Sequence, residues 1–436
     1  MITHSPRPRT LLKWLTPGIG VKRWVGILLV GASLLGSALA LLVVEFYRAH
    51  PPLLWSHLLQ LARVPLWLLG LVAGIAGTAC VLLATLRINQ AILRPLAVKG
   101  PHIIDAMVEH QRGQRGPKIA AIGGGTGMPT LLRGLKAYTA NLTAIVTVAD
   151  DGGSSGRLRR DLGVLPPGDF RNNIAALARD EGLMAQLFQY RFGEGGLEGH
   201  SFGNLFITAL SAVTGSFEQA LIESSRVLLI RGQVLPSTLA NVTLMADWRE
   251  VEADVTRRVA GESAIPEVAG AIQRVFLQPE DVPAYPEAVK AILAADLIVL
   301  GPGSLFTSLL PNLLVPGIAE AVRSSSALKV YVCNVATQRG ETENFTVADH
   351  VRVIEQHVGK GLFDVVLVNN AFPPLAPGSN FQYVELGDGG KNGVELNFRI
   401  YPAPLVDERR PWRHDSERLA QAVIQLLDES GRQPLD

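Results

Sequence analysis

Two long apolar runs open the chain, and short apolar runs alternate with polar helical patterns after them. No charged residue occurs in Trp24–Val44 or in Val64–Leu86. A helix that crosses the hydrocarbon core of a membrane needs about 20 such residues. A cleaved signal peptide is the alternative for the first run, but that run is too long for one and a second run follows it. We therefore predict a transmembrane helical hairpin over 24–87, with spans at about 24–44 and 64–86.

Lysine and arginine residues are concentrated outside the two apolar runs. Five of them precede the first run and six lie in 87–118, whereas the segment between the runs offers mainly Arg48 and Arg63. Because such residues stay on the cytoplasmic side of a membrane, we predict that the 1–23 tail, the C-terminus and the main domain are cytoplasmic. Neither run contains a charge, so the hairpin is predicted to be an anchor in the cell membrane rather than a conducting path.

Beyond a polar linker at 88–117, short apolar runs and helical patterns alternate along the chain. The predicted strands are Lys118–Ile122, Ala144–Val148, Asp296–Leu300, Leu328–Cys333 and Val365–Asn369. Short continuous runs rich in β-branched residues are typical of parallel strands that are buried on both faces. We therefore predict one α/β domain over 118–430, built on a Rossmann-like, doubly wound and mostly parallel sheet.

The first predicted strand runs directly into a glycine-rich loop. Residues 123–127 read Gly-Gly-Gly-Thr-Gly, and a predicted helix, Pro129–Tyr138, follows them. Glycines allow close backbone approach to an anion, and a helix N-terminus adds N–H donors and partial positive charge. Met128 and Thr130 stand where a dinucleotide fingerprint needs glycine, and no Gly-Lys-Ser/Thr follows. The loop therefore predicts phosphate binding, but it indicates neither an ordinary NAD site nor a P-loop nucleoside triphosphatase.

A second polar loop, Asp150–Arg159, follows the second predicted strand with the sequence DDGGSSGRLR. A carboxylate about 20 residues beyond a glycine loop is often the group that contacts a nucleotide ribose. Adjacent carboxylates also suit magnesium, so Asp150 and Asp151 form a candidate metal pair. The glycines and serines predict a second nest of N–H donors, and Arg157 or Arg159 is a candidate for a bidentate phosphate contact. A solvated turn with an Asp cap is the alternative.

Three more polar segments carry candidate site residues. Asp169 and Arg171 lie on a turn that opens a helix, where Asp169 is either a ligand contact or a helix cap. Asn204 precedes an apolar run and is a candidate for a base or sugar contact. The loop 301–308, with the sequence GPGSLFTS, predicts a third phosphate or sugar contact through hydroxyl donors. Ser304 lacks the G-x-S-x-G elbow of a hydrolase nucleophile.

Composition removes several other classes of protein. The 40 basic and 39 acidic residues leave a formal net charge of +1, without a basic stripe, which argues against nucleic-acid binding. The mean hydropathy of +0.24 reflects mainly the first ninety residues. Only Cys80 and Cys333 occur, and neither has a CxxC partner, so a disulfide framework or a zinc site is not expected. We predict two inert, buried thiols.

Taken together, these loops resemble the YvcK-type gluconeogenesis factor family. The residues that carry the resemblance are IGGGTG at 122–127, DDGGSSGR at 150–157, PPGDFRN at 166–172, Gly203-Asn204, GPGS at 301–304, Pro311-Asn312, QRGE at 338–341 and Asp349-His350. This family belongs with the CofD-like proteins, which include 2-phospho-L-lactate transferase of coenzyme F420 synthesis. The resemblance begins near Lys118 and leaves the hairpin outside it.

The resemblance implies a CofD-like fold that binds a UDP-sugar, notably UDP-N-acetylglucosamine, with roles in gluconeogenic growth, cell shape and peptidoglycan synthesis. It implies no established reaction and no certain cofactor beyond possible magnesium. The alternative is a magnesium-dependent CofD-type transferase, which moves a phospholactyl-type group from a nucleotide diphosphate donor to a deazaflavin alcohol. The second loop fits the YvcK-type pattern better. We also expect a protein partner in cell-wall regulation and a homo-oligomer.

From the loops and the resemblance together we predict a ligand site without assigned catalytic residues. Its predicted members are Gly123, Gly124, Gly125, Thr126, Gly127, Asp150, Asp151, Gly152, Gly153, Ser154, Ser155, Arg157, Asp169, Arg171, Asn172, Asn204, Gly301, Gly303 and Ser304. The glycines and serines would cradle the diphosphate, Asp150 or Asp151 would meet the ribose or a metal, and Asn204 and Ser304 would orient the sugar or base.

Overall fold

The computed structural model describes residues 22–49, 66–93, 116–179, 182–250, 255–268, 270–376, 378–387 and 398–431. The chain divides into two units, 1–107 and 108–436. The predicted N-terminal tail up to residue 21, the external loop and most of the predicted linker lie outside the described residues.

Two helices, α1 (Lys22–Ala49) and α2 (Leu66–Leu93), make up the described part of the first unit. Arg23–Phe46 and Trp67–Ile88 are each long and apolar enough to cross a membrane, as the hydropathy pattern predicts. Glycines bring the helix backbones together: a Cβ atom on Gly77 would lie 2.9 Å from the carbonyl oxygen of Gly31. Small residues are typical of such close contacts between membrane helices.

The outward faces of these two helices are apolar, and leucine, valine, isoleucine and phenylalanine side chains are exposed along both of them. Cys80 on α2 is half-buried rather than buried, so the prediction for this thiol was wrong, whereas Cys333 is buried as predicted. Each helix of the pair is covered by the other on one side only, and Cys80 lies at the margin of their contact. The helix α2 also continues to Leu93, so the first residues of the predicted linker are helical.

The described residues of the second unit contain twelve strands. They are β1 (Ile119–Gly123), β2 (Leu142–Val146), β3 (Gln233–Pro236), β4 (Thr243–Glu250), β5 (Val255–Ala260), β6 (Gly270–Gln278), β7 (Leu297–Leu300), β8 (Leu328–Val332), β9 (Val365–Asn369), β10 (Arg399–Ala403), β11 (Val406–Asp407) and β12 (Arg410–His414).

Seven of these strands form one parallel sheet in the order β10-β9-β8-β7-β1-β2-β3. The inner strands are continuous buried apolar runs, which confirms the Rossmann-like α/β prediction. Chain order reverses between β1 and β7, and ligands of open α/β sheets bind at such a switch point. Strand β2 begins and ends two residues earlier than predicted, so the loop after it begins at Thr147.

Two smaller sheets complete the strand arrangement and were not predicted. Strands β4, β5 and β6 form an antiparallel sheet in the order β5-β4-β6, and β11 pairs with β12 as a hairpin. Their sequences mix apolar and charged residues, and β5 is exposed along most of its length. Exposed strands of this kind lack the continuous apolar run by which the buried strands are recognised.

Eleven helices of the second unit lie within its described residues. They are α3 (Gly127–Leu135), α4 (Gly153–Leu162), α5 (Gly168–Leu177), α6 (Leu183–Gln189), α7 (Phe202–Thr214), α8 (Phe217–Val227), α9 (Pro286–Leu293), α10 (Leu310–Leu313, preceded by a π-helical turn, Leu305–Leu309), α11 (Pro316–Ser324), α12 (Val347–Val358) and α13 (Ser416–Glu429). Helix α12 begins with a capping box between Thr346 and Asp349.

Helix α13, near the C-terminus, packs on α3, the helix that follows the glycine loop. The Ser416 hydroxyl donates to the carbonyl oxygen of Thr130 at 2.6 Å, and a Cβ atom on Gly134 would collide with the backbone carbonyl of Ser416. Because the obstacle is backbone rather than a flexible side chain, Gly134 sets how closely the two helices approach. This contact holds α3, and with it the end of the glycine loop.

We expect Gly134→Ala to destabilise the protein by about 1–3 kcal/mol, the usual cost of overpacking. Helix propensity alone would act in the opposite direction by up to about 1 kcal/mol. Chemical denaturation followed by circular dichroism measures the difference. Gly193→Ala is the matched control, because a Cβ atom there would meet no atom within 4 Å. A Gly134→Ala variant as stable as the wild type would contradict this packing.

Candidate functional site

The glycine loop joins β1 to α3 at the centre of the sheet, and three other segments press on its backbone. A Cβ atom on Gly124 would lie 2.6 Å from the Asp169 carboxylate, and one on Gly127 would lie 2.5 Å from the carbonyl oxygen of Pro302. Gly125 has a φ of +61°, which side chains other than glycine rarely adopt, and it faces the Ser308 hydroxyl. Glycine is therefore required by the protein's own packing at these positions.

One of the backbone N–H groups that we expected to bind a phosphate is hydrogen-bonded to Asp169 instead. Its Oδ2 atom accepts a hydrogen bond from the Gly125 N–H at 2.7 Å. Asp169 lies in the first turn of α5, whose N-cap position is Pro167 with no side-chain cap, so Asp169 braces the loop instead of capping its own helix. Burial and the neighbouring Asp150 raise its pKa from 3.8 to about 6, against the lowering effects of the Gly125 N–H and of Arg171.

The segment that the sequence predicts as a second glycine nest is the first turn of helix α4. The two carboxylates before it point to different partners. Asp150 accepts from the Gly152 N–H at 2.9 Å, whereas Asp151 accepts from the Ser263 N–H, also at 2.9 Å. Burial raises the pKa of Asp150.

Asp150 and Asp151 each have one carboxylate oxygen engaged by a different backbone N–H. Among the described residues, no group of three or more His, Cys, Asp or Glu side chains is placed to hold a metal ion. Magnesium binding by Asp150 and Asp151 stays a prediction.

A buried polar network follows the first turn of α4. The Asn204 amide donates to the Ser154 hydroxyl at 3.1 Å, and Ser154 also contacts Nδ1 of His200 at 3.0 Å. Asn204 is 2% exposed, and its Oδ1 atom has no hydrogen-bond partner. Arg157 donates to the carbonyl oxygen of Glu198 at 2.7 Å, so one N–H of this predicted phosphate ligand is already engaged. The network fixes α4 against the loop before α7.

Arg171 is nearly buried beside Asp169. It donates to the Asn172 side chain at 2.7 Å, while its Nε atom is buried without a partner. Burial, together with the charge of Arg191, lowers the pKa of Arg171, and Asp169 and Asp150 oppose this effect. Arg171 and Asn172 therefore belong to the same polar interior as Asp169.

Two further carboxylates lie near this interior. Burial raises the pKa of Glu262 from 4.5 to about 8, and the negative charges of Asp150, Asp169, Glu341 and Asp151 add to the effect. Burial also raises the pKa of Glu341 to about 7. Glu262 lies between β5 and β6, and no pattern in its sequence neighbourhood indicates this location. Glu341 ends the QRGE motif at 338–341, which was identified from the sequence only as part of the family resemblance.

The loop after β7 packs on the glycine loop. The Asn312 side chain donates to the carbonyl oxygens of Gly123 at 3.0 Å and Ser308 at 2.9 Å, which ties the two loops together. Gly301 has a φ of +82°, and Asn334 donates to the Gly303 carbonyl at 2.9 Å. These bonds leave the Gly303–Ser304 edge facing an open cavity.

That cavity has a volume of about 610 Å³ and lies at the carboxyl ends of β1, β7 and β8. Its walls are formed by Thr126, Gly127, Thr130, Pro302, Gly303, Ser304, Asn334, Val335, Ala336, Thr337, Gln338, Arg339, Ser379, Asn380, Phe381, Trp412, Arg413 and His414. Among the predicted site residues, Thr126, Gly127, Gly303 and Ser304 line it. Those from Asp150 to Asn204 lie outside its lining, in the polar interior and network described above.

The residues of the far wall of the cavity were not predicted from the sequence, because they lie mostly in irregular segments late in the chain. Phe381 and Trp412 are edge-to-face neighbours with ring centroids 5.9 Å apart. Burial lowers the pKa of His414 to about 4, so its imidazole is neutral and contacts the Cys333 carbonyl through Nε2 at 3.1 Å. Strand β12 brings Trp412 and His414 to the cavity, and no sequence motif marks that strand.

Comparison with known proteins agrees with this architecture. The family model described as 2-phospho-L-lactate transferase CofD matches residues 119–388. A provisionally named gluconeogenesis factor of Nostoc sp. is 51% identical over 441 residues, covering 96% of this chain and 93% of its own. The gluconeogenesis factor of Bacillus subtilis is 47% identical over 328 residues, covering 73% of this chain and all of its own.

The chain belongs to the gluconeogenesis factor family. A crystal structure of a UPF0052 family member from Bacillus halodurans supports the fold, with a TM-score of 0.65 and 43% identity over 72% of this chain and all of that one. The family therefore brings a CofD-like domain, which here holds the glycine loop and most of the cavity wall.

The raised pKa of Glu262 makes stability depend on pH. Between about pH 4.5 and 8 the folded state binds a proton that the unfolded state has released, so the free energy of unfolding falls as pH rises through this window. We expect the free energy of unfolding to fall less between pH 5 and pH 8 in Glu262→Gln than in the wild type, as measured by urea denaturation at the two pH values. Glu267→Gln, on an exposed side chain of the same segment, is the control. Equal losses in the wild type and Glu262→Gln would contradict the proposed environment.

Proposed function

We propose that this chain is a membrane-tethered, cytoplasmic protein that binds a UDP-sugar such as UDP-N-acetylglucosamine and regulates carbon metabolism, cell shape and peptidoglycan synthesis. The observation that carries the proposal is the cavity of about 610 Å³ beside the glycine loop. Its size is within the range of small-molecule sites, and it lies at the switch point of the sheet, where such ligands bind.

The near wall of the cavity supports binding of the diphosphate. Thr126 and Gly127 open helix α3, and the N-terminus of a helix attracts anions. Gly127 is the first residue of α3 and lines the cavity, so its backbone N–H belongs to the helix turn that would face the ligand. Arg339 and Arg413 line the same cavity and supply positive charge for an anionic ligand.

The far wall supports binding of a base or sugar. Phe381 and Trp412 offer aromatic surface, and Trp412 is 50% exposed. Exposed aromatic faces stack on nucleobases and on the apolar faces of sugars. The backbone and side-chain groups of Asn334 and Thr337 add polar contacts beside them. Phosphate-binding and ring-binding surfaces thus share one cavity.

The apolar helices α1 and α2 support tethering to the membrane. Basic residues outside both runs favour cytoplasmic ends, and the binding unit follows on that side. A protein in this position would sense a nucleotide-linked cell-wall precursor where it is consumed. We further propose that the signal passes to a protein partner and that the chain forms a homo-oligomer.

We expect titration calorimetry to detect binding of UDP-N-acetylglucosamine to the full-length protein in detergent, with and without magnesium. Arg413→Ala should weaken binding about 10-fold or more, because hydrogen bonds to charged groups are worth about 1.5–3 kcal/mol. Arg409→Ala removes an exposed arginine next to β12 and is the matched control. No heat of binding in the wild type would contradict the proposal, as would equal affinities in the two variants.

A CofD-type transferase is the second candidate, and two observations favour it. The matching family model is described as a transferase, and Asp169, Glu262 and Glu341 have pKa values raised toward neutrality. Carboxyl groups of this kind occur at catalytic sites. Incubation of the full chain with magnesium, a GDP-linked phospholactyl donor and the deazaflavin alcohol, followed by mass spectrometry, tests it. Formation of the transferred product would favour this candidate over a purely regulatory role.

A further inference from the structure

A chain of hydrogen bonds connects the buried Glu341 to the cavity. The Gln338 side chain donates from Nε2 to Glu341 Oε1 at 2.8 Å, and Ser304 donates from its hydroxyl to Gln338 Oε1 at 2.7 Å. Ser304 and Gln338 line the cavity, whereas Glu341 is buried behind them. The direction of each bond decides what Ser304 can offer to a ligand.

Glu341 fixes the direction of the chain because it has only acceptors when ionised. It accepts from the Thr307 hydroxyl at 2.9 Å and from the Phe306 N–H at 3.3 Å, in addition to Gln338. Since its pKa is about 7, the carboxylate is ionised at pH 8. Every group that faces these oxygen atoms at that pH must therefore be a donor.

The orientation of the Gln338 side chain determines the direction of the hydrogen bond that it makes with Ser304. The Gln338 backbone is held in place, because its N–H donates to the Thr342 hydroxyl at 2.9 Å and its carbonyl accepts from the Thr342 N–H at 2.8 Å. An amide that presents Nε2 to Glu341 must present Oε1 on its other side. The Ser304 proton is therefore committed to Gln338, and its two lone pairs remain for the cavity.

Ser304 lies beside the part of the cavity that would hold phosphate. The preceding residue, Gly303, packs on the glycine loop, where a Cβ atom would lie 3.2 Å from the Gly124 carbonyl oxygen. In a nucleotide sugar, the groups attached directly to the diphosphate are sugars, the ribose on one side and the hexose on the other. A sugar is therefore the part of the ligand next to the diphosphate that would reach Ser304. Phosphate oxygens accept hydrogen bonds and so cannot pair with a hydroxyl that has only acceptors left.

We propose that Ser304 selects the ligand by accepting a hydrogen bond from a sugar hydroxyl next to the diphosphate, with Gln338 and Glu341 as positioning residues. This inference rests on the proposed function and assigns Ser304 to the sugar rather than to the phosphates. It also separates Ser304 from the N–H groups of the glycine loop, which donate.

The test uses full-length protein in detergent at pH 8, with UDP, UDP-sugars and analogues in which one sugar hydroxyl at a time, on the hexose or the ribose, is replaced by fluorine. Fluorine cannot donate, so one analogue should bind the wild type about 10-fold more weakly than its parent, as expected for a buried acceptor left unpaired. Ser304→Ala should bind that analogue and its parent alike. An identical loss in Ser304→Ala, or no loss with any analogue, would overturn the inference.

Glu341→Gln tests the positioning role. Its amide can donate to Gln338 Oε1, which lets Gln338 turn and frees the Ser304 proton, so discrimination against the fluorinated analogue should fall. Glu343→Gln, on an exposed neighbour, should keep full discrimination. Full discrimination in Glu341→Gln would overturn the positioning role. Binding of no UDP-sugar by the wild type would overturn the proposed function and this inference together, whereas binding without discrimination would overturn the inference alone.

Discussion

The turn at Gly124–Gly127 exists because three distant segments approach its backbone more closely than side chains would allow. The Asp169 carboxylate accepts a hydrogen bond from the Gly125 N–H, the Ser308 hydroxyl faces Gly125, and the Pro302 carbonyl lies against Gly127. Each segment is the start of a helix or the end of a strand. The positions of β7 and α5 relative to β1 therefore depend on the absence of side chains in this turn.

The same close packing explains why acidic residues can gather beneath a loop that is suited to anions. Asp169 satisfies an N–H of the loop. Burial raises the pKa values of Asp169, Glu262 and Glu341 toward neutrality, and nearby carboxylates add to this effect for Asp169 and Glu262. The Thr126–Gly127 edge and two arginines line the cavity itself.

The two units have separate physical roles. In the first, glycines allow close helix contact and leave apolar faces outward, which is a solution for a lipid environment. In the second, a buried parallel sheet holds the loops.

The sequence alone determined the apolar helices, five strands of the parallel sheet and the glycine loop, because continuous apolar runs and glycine clusters report local constraints, but it missed β3 and β10. It placed β9 at its observed residues and β2 two residues late. Tertiary structure decided that Asp150 and Asp151 face different partners, that Glu262 joins the acidic interior, and that Trp412 completes the cavity. Side-chain direction and contacts between distant segments depend on how the chain packs, and no local pattern encodes them.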